Sequence, residues 1–326
     1  MTAFLAELGT KLADRWLQAL LLPGLLWTAA LAGAVELGQS HPFQVERLSN
    51  ALDRLAARPA AHAPGTVILA AAAILPAGAA IGLVAGALGN LVQILWVLPG
   101  NLPPASWLLA WRRRRWNNAA HALASAIRAA VALDGGPTGA KRTGVIRDPR
   151  TQPTEMELAE ARVRSEQRRL ARKGTEVPAH PTRIGDRFAE AGTHIATING
   201  LANLKKAWPR LWSVLPDTLR TDITAARTAY TATARLVGWG LLYALLAGFW
   251  WPAALIGAAI LAAAAVRARG AANVLADLIE TATDLHTPDL AKLLGLPTAG
   301  PLCTGQAITA RLAGAVGETR TIAEES

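Results

Sequence analysis

The stretch TVILAAAAILPAGAAIGLVAGALGNLVQILWVLPG, residues 66–100, carries no charged side chain. About 20 apolar residues allow a helix to cross the roughly 30 Å hydrocarbon core of a bilayer. A straight helix over the whole stretch would be about 50 Å long, which exceeds that core. We therefore predict a transmembrane helix over 66–98 that tilts, kinks at Pro76 or breaks near Gly89–Asn90.

Two other apolar runs predict further spans. WLQALLLPGLLWTAALAGAVEL, residues 16–37, has no charge before Glu36 and is long enough for a first transmembrane helix. A secretory signal is the alternative, because Ala30-Leu31-Ala32 resembles a cleavage site, but the mixed charges of the preceding segment favour a retained anchor. Residues 235–267 predict a membrane hairpin that turns at Trp250-Trp251-Pro252, with one kinked helix as the alternative.

Composition and charge place these spans in a bacterial plasma membrane. Hydrophobic residues make up 52% of the chain, charged residues only 17%, and the mean hydropathy is +0.26. Most of the 33 lysines and arginines lie outside the loop 38–65, so the positive-inside rule puts both termini in the cytoplasm. Arginine exceeds lysine, and residues with GC-rich codons are abundant, which indicates a bacterial source. The single cysteine, Cys303, excludes an internal disulfide and a cysteine-based metal framework.

The predicted fold is an all-α integral membrane protein with about four transmembrane helices and a helical cytosolic domain. Its segments are 1–99 (a lead helix and the transmembrane helices 16–37 and 66–98, with the external loop 38–65), 100–234 (a basic interfacial helix, a linker and the cytosolic helical domain), 235–267 (the hairpin) and 268–326 (a cytosolic helical tail). In the tail we predict a new helix starting at Thr287-Pro288-Asp289 and a loop over 297–305 that contains Cys303.

Between residues 107 and 118 the sequence reads WLLAWRRRRWNN. Tryptophan is favoured where lipid meets water, and each arginine near an anionic headgroup contributes about 1 kcal/mol. We predict an interfacial helix that continues to Asp134 and binds anionic lipid, with a plain topology stop as the alternative. Nucleic acid is disfavoured as a partner, because no recognition motif accompanies the cluster. The predicted lipid-interface residues are Trp107, Trp111, Arg112, Arg113, Arg114, Arg115 and Trp116.

The region after the interfacial helix predicts a linker over 133–152 and then a helix. In TEMELAEARVRSEQRRLARKG, Thr154 begins a capping box with the glutamate three residues later, and bases follow acids along the segment. A thin apolar stripe at heptad-like spacing is formed by Met156, Val163 and Leu170. Such a stripe needs a partner: this domain, another subunit or an unknown cytosolic protein.

The stretch PTRIGDR at 181–187 is followed by WPRLW at 208–212 and LPD at 215–217, just before the hairpin. This pattern resembles an uncharacterised group of bacterial, actinobacterial-type multi-pass membrane proteins. In that group a PT..G element precedes a WPRL…LP element ahead of apolar spans. The resemblance implies a multi-pass architecture and no particular activity.

The sequence contains no recognisable motif for catalysis or metal binding. The six histidines are scattered, without an HxxxH or HExxH pair, and GxSxG, P-loop and strand-linked GxGxxG motifs are absent. Asp186, Glu190 and His194 are spaced to share a helix face, but three solvated surface residues are the simpler interpretation. We therefore predict a protein that is not an enzyme, with no catalytic residue, metal or cofactor.

The second predicted span carries a face of small and amide side chains. Its members are Gly78, Gly82, Gly86, Asn90 and Gln93. In lipid, small residues at this spacing let helix backbones approach closely, and a buried amide can bond across helices. The face therefore packs within one subunit or lines a pore. Locally it resembles the pore helix of small-conductance mechanosensitive channels, without the β-rich domain that follows there.

These features predict a non-enzymatic multi-pass membrane scaffold or sensor that presents its helical cytosolic domain to a partner. The alternative is a homo-oligomeric ion-conducting pore or membrane-depolarising effector lined by the face from Gly78 to Asn90. The centres of the predicted spans hold no ionisable residue, which argues against a proton-coupled transporter.

Overall fold

The computed structural model describes residues 21–39, 44–57, 64–100, 103, 105–134, 154–171 and 177–324. Over this part of the chain the structure is helical, with no strand, so the predicted all-α fold class is confirmed. The predicted lead helix, the start of the first predicted span and most of the linker over 133–152 lie outside the described residues.

The described part of the chain is built from a succession of helices. Their bounds are α1 Leu22–Leu37, α2 Val45–Ala56, α3 Pro64–Val97, α4 Ala105–Asp134, α5 Glu155–Ala171, α6 Arg183–Ile198, α7 Leu204–Val214, α8 Asp217–Leu246, α9 Pro252–Leu293 and α10 Pro301–Glu324. The chain forms two compact units. The first comprises the described residues up to Leu95 and from Arg187 onward, and the second comprises Trp96–Asp186.

In the first unit the apolar helices α1, α3, α8 and α9 pack together. Ala34 of α1 lies in a buried cluster with Tyr243 of α8 and Ala253 of α9. Ala85 of α3 lies in a second buried cluster with Trp239 of α8. Small residues on one helix thus pack beside aromatic rings on the next.

The helices α8 and α9 form a hairpin. α8 ends at Leu246, and α9 begins at Pro252, whose fixed φ and missing N–H suit the first position of a helix. The turn thus covers residues 247–251 and includes the predicted Trp250-Trp251, while Pro252 begins α9. The two arms lie very close: a Cβ added at Gly257 would stand 2.9 Å from the backbone nitrogen of Ala244.

The side chain of Gln39, just after α1, binds the turn of the hairpin. Its Nε2 donates to Ala247 O at 2.8 Å and to Gly248 O at 2.8 Å, and its Oε1 accepts from Trp251 N at 3.2 Å. Carbonyl groups at the end of a helix have no partner within the helix, and Gln39 supplies one. The end of α1 is therefore held beside the hairpin turn.

The helix α9 is continuous for 42 residues and contains Pro288. The predicted helix start at Thr287-Pro288-Asp289 is therefore wrong. Leu290 and Ala291, which follow the proline, are fully buried, and the Thr287 hydroxyl donates to Thr283 O at 2.5 Å. These contacts outweigh the roughly 3 kcal/mol preference against proline inside a helix.

The sequence also predicts a tilt, kink or break in the span over 66–98 and a loop over 297–305. α3 runs without interruption from Pro64 to Val97, so it contains Pro76 and does not break near Gly89–Asn90. The predicted loop over 297–305 is wrong in its second half, because α10 begins at Pro301 and Cys303 lies exposed in its first turn. Proline at the first helical position explains that start.

Two described helices are long and apolar enough to cross a membrane: Ile68–Val97 and Pro252–Leu293. Only 17% and 22% of their most apolar windows are buried within the chain. α1 is apolar but shorter, and α8 becomes apolar only from Leu236 onward. The described residues thus contain two candidate spans, compared with the four that the sequence predicts.

In the second unit α4 packs against α5. Ala119 and Ala126 of α4 are buried, so these two positions lie on the inner side of the helix. One of the two bonds of the capping box predicted for α5 is present: Glu157 Oε2 accepts from the backbone N–H of Thr154 at 2.9 Å.

The bonds of Gln39 predict a stability effect. We expect Gln39→Ala to lower the free energy of unfolding by about 1 kcal/mol, because the site is exposed and each net hydrogen bond is worth about 0.5–1.5 kcal/mol. Thermal unfolding of the detergent-solubilised chain, followed by circular dichroism, measures the change. Gln44→Ala is the matched control, since this exposed glutamine makes no side-chain hydrogen bond to the described residues. Equal effects from both variants would contradict the role of Gln39.

Candidate functional site

A polar cleft of about 320 Å³ lies between α3 and α8 in the first unit. Its polar lining combines two amides of α3 with a hydroxyl and a cation of α8: Asn90, Gln93, Thr231 and Arg235. Its remaining walls are apolar or small: Leu83, Gly86, Ala87 and Gly89. Here an otherwise apolar helix meets a positively charged side chain.

Glycines let α3 and α8 approach closely enough to form this cleft. A Cβ added at Gly89 would stand 2.9 Å from the Cα of Arg235 and 3.0 Å from Ala234 O. One added at Gly238 would overlap the carbonyl group of Ala85. Any side chain at either glycine would force the two helices apart, and the cleft would change its shape.

The predicted face from Gly78 to Gln93 is buried in its first half and open in its second half. Gly78 and Gly82 are buried, and Gly78 lies against the backbone of Gly24 in α1. Gly86 has open space where a Cβ would be, and Asn90 is exposed. The first half of the face therefore packs within the chain, and the second half opens into the cleft.

Most polar groups of the cleft lack a partner among the described residues. Within the described part of the chain, no carboxylate lies within ion-pair distance of Arg235, and the amides of Asn90 and Gln93 make no side-chain hydrogen bond. The Thr231 hydroxyl donates to Thr228 O at 2.9 Å and keeps its acceptor lone pairs. The cleft thus offers a cation and several hydrogen-bond donors to a molecule outside the protein.

A second polar arrangement joins α6 to the later half of α9. Arg187 Nη1 lies 2.6 Å from Glu280 Oε1, and Nη2 lies 2.5 Å from Asp277 Oδ1. The hydrogen bond to Glu280 raises the pKa of Arg187 above its ordinary value, although partial burial opposes this. Hydrogen-bonded ion pairs with a partly buried guanidinium are stronger than exposed ones, so this contact fixes α6 on α9.

The buried side chain of Asn199 makes a third contact, where α6, α9 and α10 meet. Its Nδ2 donates to Asp284 Oδ1 at 2.5 Å and to Thr283 Oγ1 at 3.3 Å. The next residue, Gly200, has φ +67°, and its carbonyl accepts from Thr309 Oγ1 at 3.1 Å. Glycine at this position ends α6 and lets the chain turn beneath α10.

The arginine cluster that the sequence assigns to lipid is partly used inside the second unit. Arg112 Nη1 lies 2.6 Å from Asp186 Oδ2 and donates to His180 O at 2.8 Å. Arg113 Nε donates to Pro178 O at 2.9 Å. These two guanidinium groups therefore hold the segment that precedes α6, a use that the sequence did not indicate.

The other members of the cluster are placed differently. Trp107 is 73% exposed and Trp111 is exposed as well, with the Arg115 guanidinium 4.7 Å from the centroid of the Trp111 ring. Arg114 is exposed, and Trp116 is half-buried. The exposed face of α4 thus combines tryptophans with arginines, which is the composition that an interfacial helix needs.

The PTRIGD sequence has a structural explanation in the second unit. Thr182 caps α6, because its Oγ1 accepts from Gly185 N at 3.0 Å and donates to Trp96 O at 2.6 Å. A Cβ at Gly185 would stand 2.7 Å from Trp96 O, so glycine is needed there. Asp186 Oδ1 accepts from His180 N at 2.7 Å. Thr182, Gly185 and Asp186 thus fix the start of α6.

The predicted docking stripe lies on α5. Met156, Val163 and Leu170 are half-buried, and no residue of this helix is fully buried. α5 packs against α4, and the assignment of the stripe to a docking partner stays a prediction. Leu158, outside the stripe, is 55% exposed.

The acidic and histidine residues of α6 do not converge. Asp186 pairs with Arg112, whereas His194 Nε2 lies 3.6 Å from Asp284 Oδ2. Glu190 lies 3.8 Å from Arg187 Nη1. Among the described residues no group of three or more histidine, cysteine, aspartate or glutamate side chains is arranged to hold a metal ion.

Comparisons with protein-family models, with curated proteins and with solved structures found no match to this chain. The resemblance of the region around 181–270 to a group of bacterial membrane proteins therefore stays a prediction.

The sequence alone did not indicate that Arg235 lines the same cleft as Asn90 and Gln93, or that Gly238 packs against the backbone of Ala85. Arg235 was visible as the last charge before the apolar half of α8, and Gly238 follows it by one helical turn. Spacing along one helix identifies a face but not the helix that covers it.

The close crossing of α3 and α8 predicts opposite outcomes for two glycines. We expect Gly238→Ala to lower the free energy of unfolding by about 1–3 kcal/mol, because the new methyl group overlaps the Ala85 carbonyl. Gly86→Ala is the control, since its methyl group enters open space, and alanine stabilises a helix by about 0.5–1 kcal/mol over glycine. Unfolding in mixed micelles measures both. Similar losses of unfolding free energy in the two variants would contradict the close backbone contact between α3 and α8.

Proposed function

We propose that the chain is a non-enzymatic multi-pass membrane scaffold or sensor of the bacterial plasma membrane. Its apolar helices α1, α3, α8 and α9 cross the bilayer, both termini lie in the cytoplasm, and the polar helices are presented to a cytosolic protein partner. The proposal rests on one observation above all: α9 is a single helix that begins among the apolar helices and ends among the polar ones.

The length of α9 supports this role. At about 1.5 Å per residue, 42 residues span about 63 Å, roughly twice the hydrocarbon core. Arg267 and Arg269 follow the apolar half and suit the cytoplasmic headgroup level. Beyond them, Glu280 and Asp284 hold α6 through Arg187 and Asn199. A displacement of the span would therefore be passed to the polar helices without an intervening flexible joint.

Exposure of the apolar helices supports the membrane setting. A core helix of a soluble protein is mostly buried, whereas the two candidate spans are mostly exposed, with Leu69 of α3 70% exposed. Gln39 supports the orientation, because it joins the end of α1 to the hairpin turn and so puts both on one side. The positive-inside rule makes that side external.

The burial of Gly78 and Gly82 argues against the alternative of a homo-oligomeric pore. A pore lined by the glycine face needs its residues to point toward a shared axis. Gly78 instead lies against Gly24 within the same chain. We therefore propose the scaffold or sensor.

The topology can be tested with the native cysteine. We expect a membrane-impermeant maleimide to label Cys303, which is exposed, in inverted vesicles but not in intact spheroplasts. The matched variant carries Cys303→Ser with Asn50→Cys in the external helix α2, and we expect the reverse pattern. Labelling of Cys303 from both sides, or release of the chain by alkaline carbonate, would overturn the proposed topology.

Ion flux separates the scaffold from the pore. We expect liposomes containing the purified chain to show the same dye-reported ion leak as protein-free liposomes, since Gly78 and Gly82 are buried inside one chain. The measurement is fluorescence of a trapped pH- or potassium-sensitive dye after an imposed gradient. A sustained leak that disappears with Gly86→Leu, while the fold is retained, would support the pore instead.

A further inference from the structure

We propose that the cleft between α3 and α8 binds the headgroup of an anionic phospholipid, with the lipid phosphate on Arg235. The inference rests on the proposed membrane setting and adds a ligand and a site to it.

The charge of the cleft selects an anion. The Arg235 guanidinium carries several N–H donors in a planar fork that matches the oxygens of a phosphate group. Within the described residues it has no carboxylate partner. By contrast, Arg187 and Arg112 are paired with carboxylates, so these two cations already have partners.

The neutral polar groups suit the rest of a headgroup. The amides of Asn90 and Gln93 can donate to phosphate or ester oxygens, and the lone pairs of Thr231 can accept from a headgroup hydroxyl. A volume of about 320 Å³ is at the lower end of the range for small-molecule sites. A phosphoglycerol headgroup has both the acceptors and the hydroxyl groups that this arrangement recognises.

The apolar wall selects a lipid over a free anion. Leu83 lines the cleft and is 54% exposed, and Leu91 and Ile94 on α3 are exposed too. The acyl chain of a lipid would cover these apolar side chains and shield them from water. Inorganic phosphate has no apolar part that could do so. A ligand that matches both the polar lining and the apolar wall of the cleft is therefore amphiphilic.

The position along the helices matches the cytoplasmic headgroup level. Arg235 directly precedes the apolar half of α8, which starts at Leu236. The orientation proposed above puts this level in the cytoplasmic leaflet, which is rich in anionic lipid.

Gly86 provides a way to block the cleft without disturbing the helix crossing. It lines the cleft, and nothing lies within 4 Å of where its Cβ would be. Gly86→Leu therefore fills the space of the ligand and meets no other part of the chain at its Cβ. Gly33→Leu on α1 is the matched control, because Gly33 also faces open space and lies outside the cleft.

The test is native mass spectrometry of the full chain released from detergent, titrated with phosphatidylglycerol, with phosphatidylcholine of the same acyl chains, or with inorganic phosphate. We expect saturable binding of phosphatidylglycerol that Arg235→Gln weakens about fivefold and Gly86→Leu weakens about tenfold or more. Arg227→Gln, an exposed arginine of the same helix outside the cleft, and Gly33→Leu should bind as the wild type does.

Three results would overturn the inference: equal binding of the two lipids, wild-type binding by both Arg235→Gln and Gly86→Leu, or displacement of the lipid by inorganic phosphate, which would assign the cleft to free anions. Failure of the membrane proposal is detected separately, because alkaline carbonate would then release the chain from membranes. A chain that stays in the membrane but shows any of these three results contradicts only the lipid site.

Discussion

Close contact between the backbones of α3 and α8 is the constraint on which the rest of the structure depends. Gly238 packs against the backbone carbonyl of Ala85, and Gly89 packs against the backbone of Arg235. In the proposed membrane setting, the hydrophobic effect does not drive the association of helices, so close van der Waals contact would hold α3 and α8 together. The same crossing places Arg235 beside Asn90, and so the packing that stabilises the apolar helices also builds the polar cleft.

Two kinds of interaction hold the two halves of α9. Its apolar half packs through small residues, as where Gly257 lies against Ala244. Its polar half is held by charge and hydrogen bonds, through Arg187 and Asn199. Helix continuity joins the two, which is why the proposed scaffold or sensor role follows from α9 and not from any single pocket.

Several elements could be predicted because their causes are local. The hairpin turn that includes Trp250-Trp251 and ends before Pro252 follows from proline chemistry and apolar length, and the capping box at Thr154 depends on two side chains three residues apart. The predicted helix start at Thr287-Pro288-Asp289 failed for the opposite reason. Proline is a local signal against a continuing helix, and buried contacts of Leu290 with the rest of the unit outweigh it.

The sequence by itself determined the helical class, the apolar lengths, the charge asymmetry and the face that runs from Gly78 to Gln93. The tertiary structure alone decided which half of that face is buried, that Arg235 completes the cleft, and that Arg112 pairs with Asp186. The physical reason is that periodicity specifies which side chains share a helix face. The partner of that face depends on contacts between residues distant in the chain, and no single-helix pattern records them.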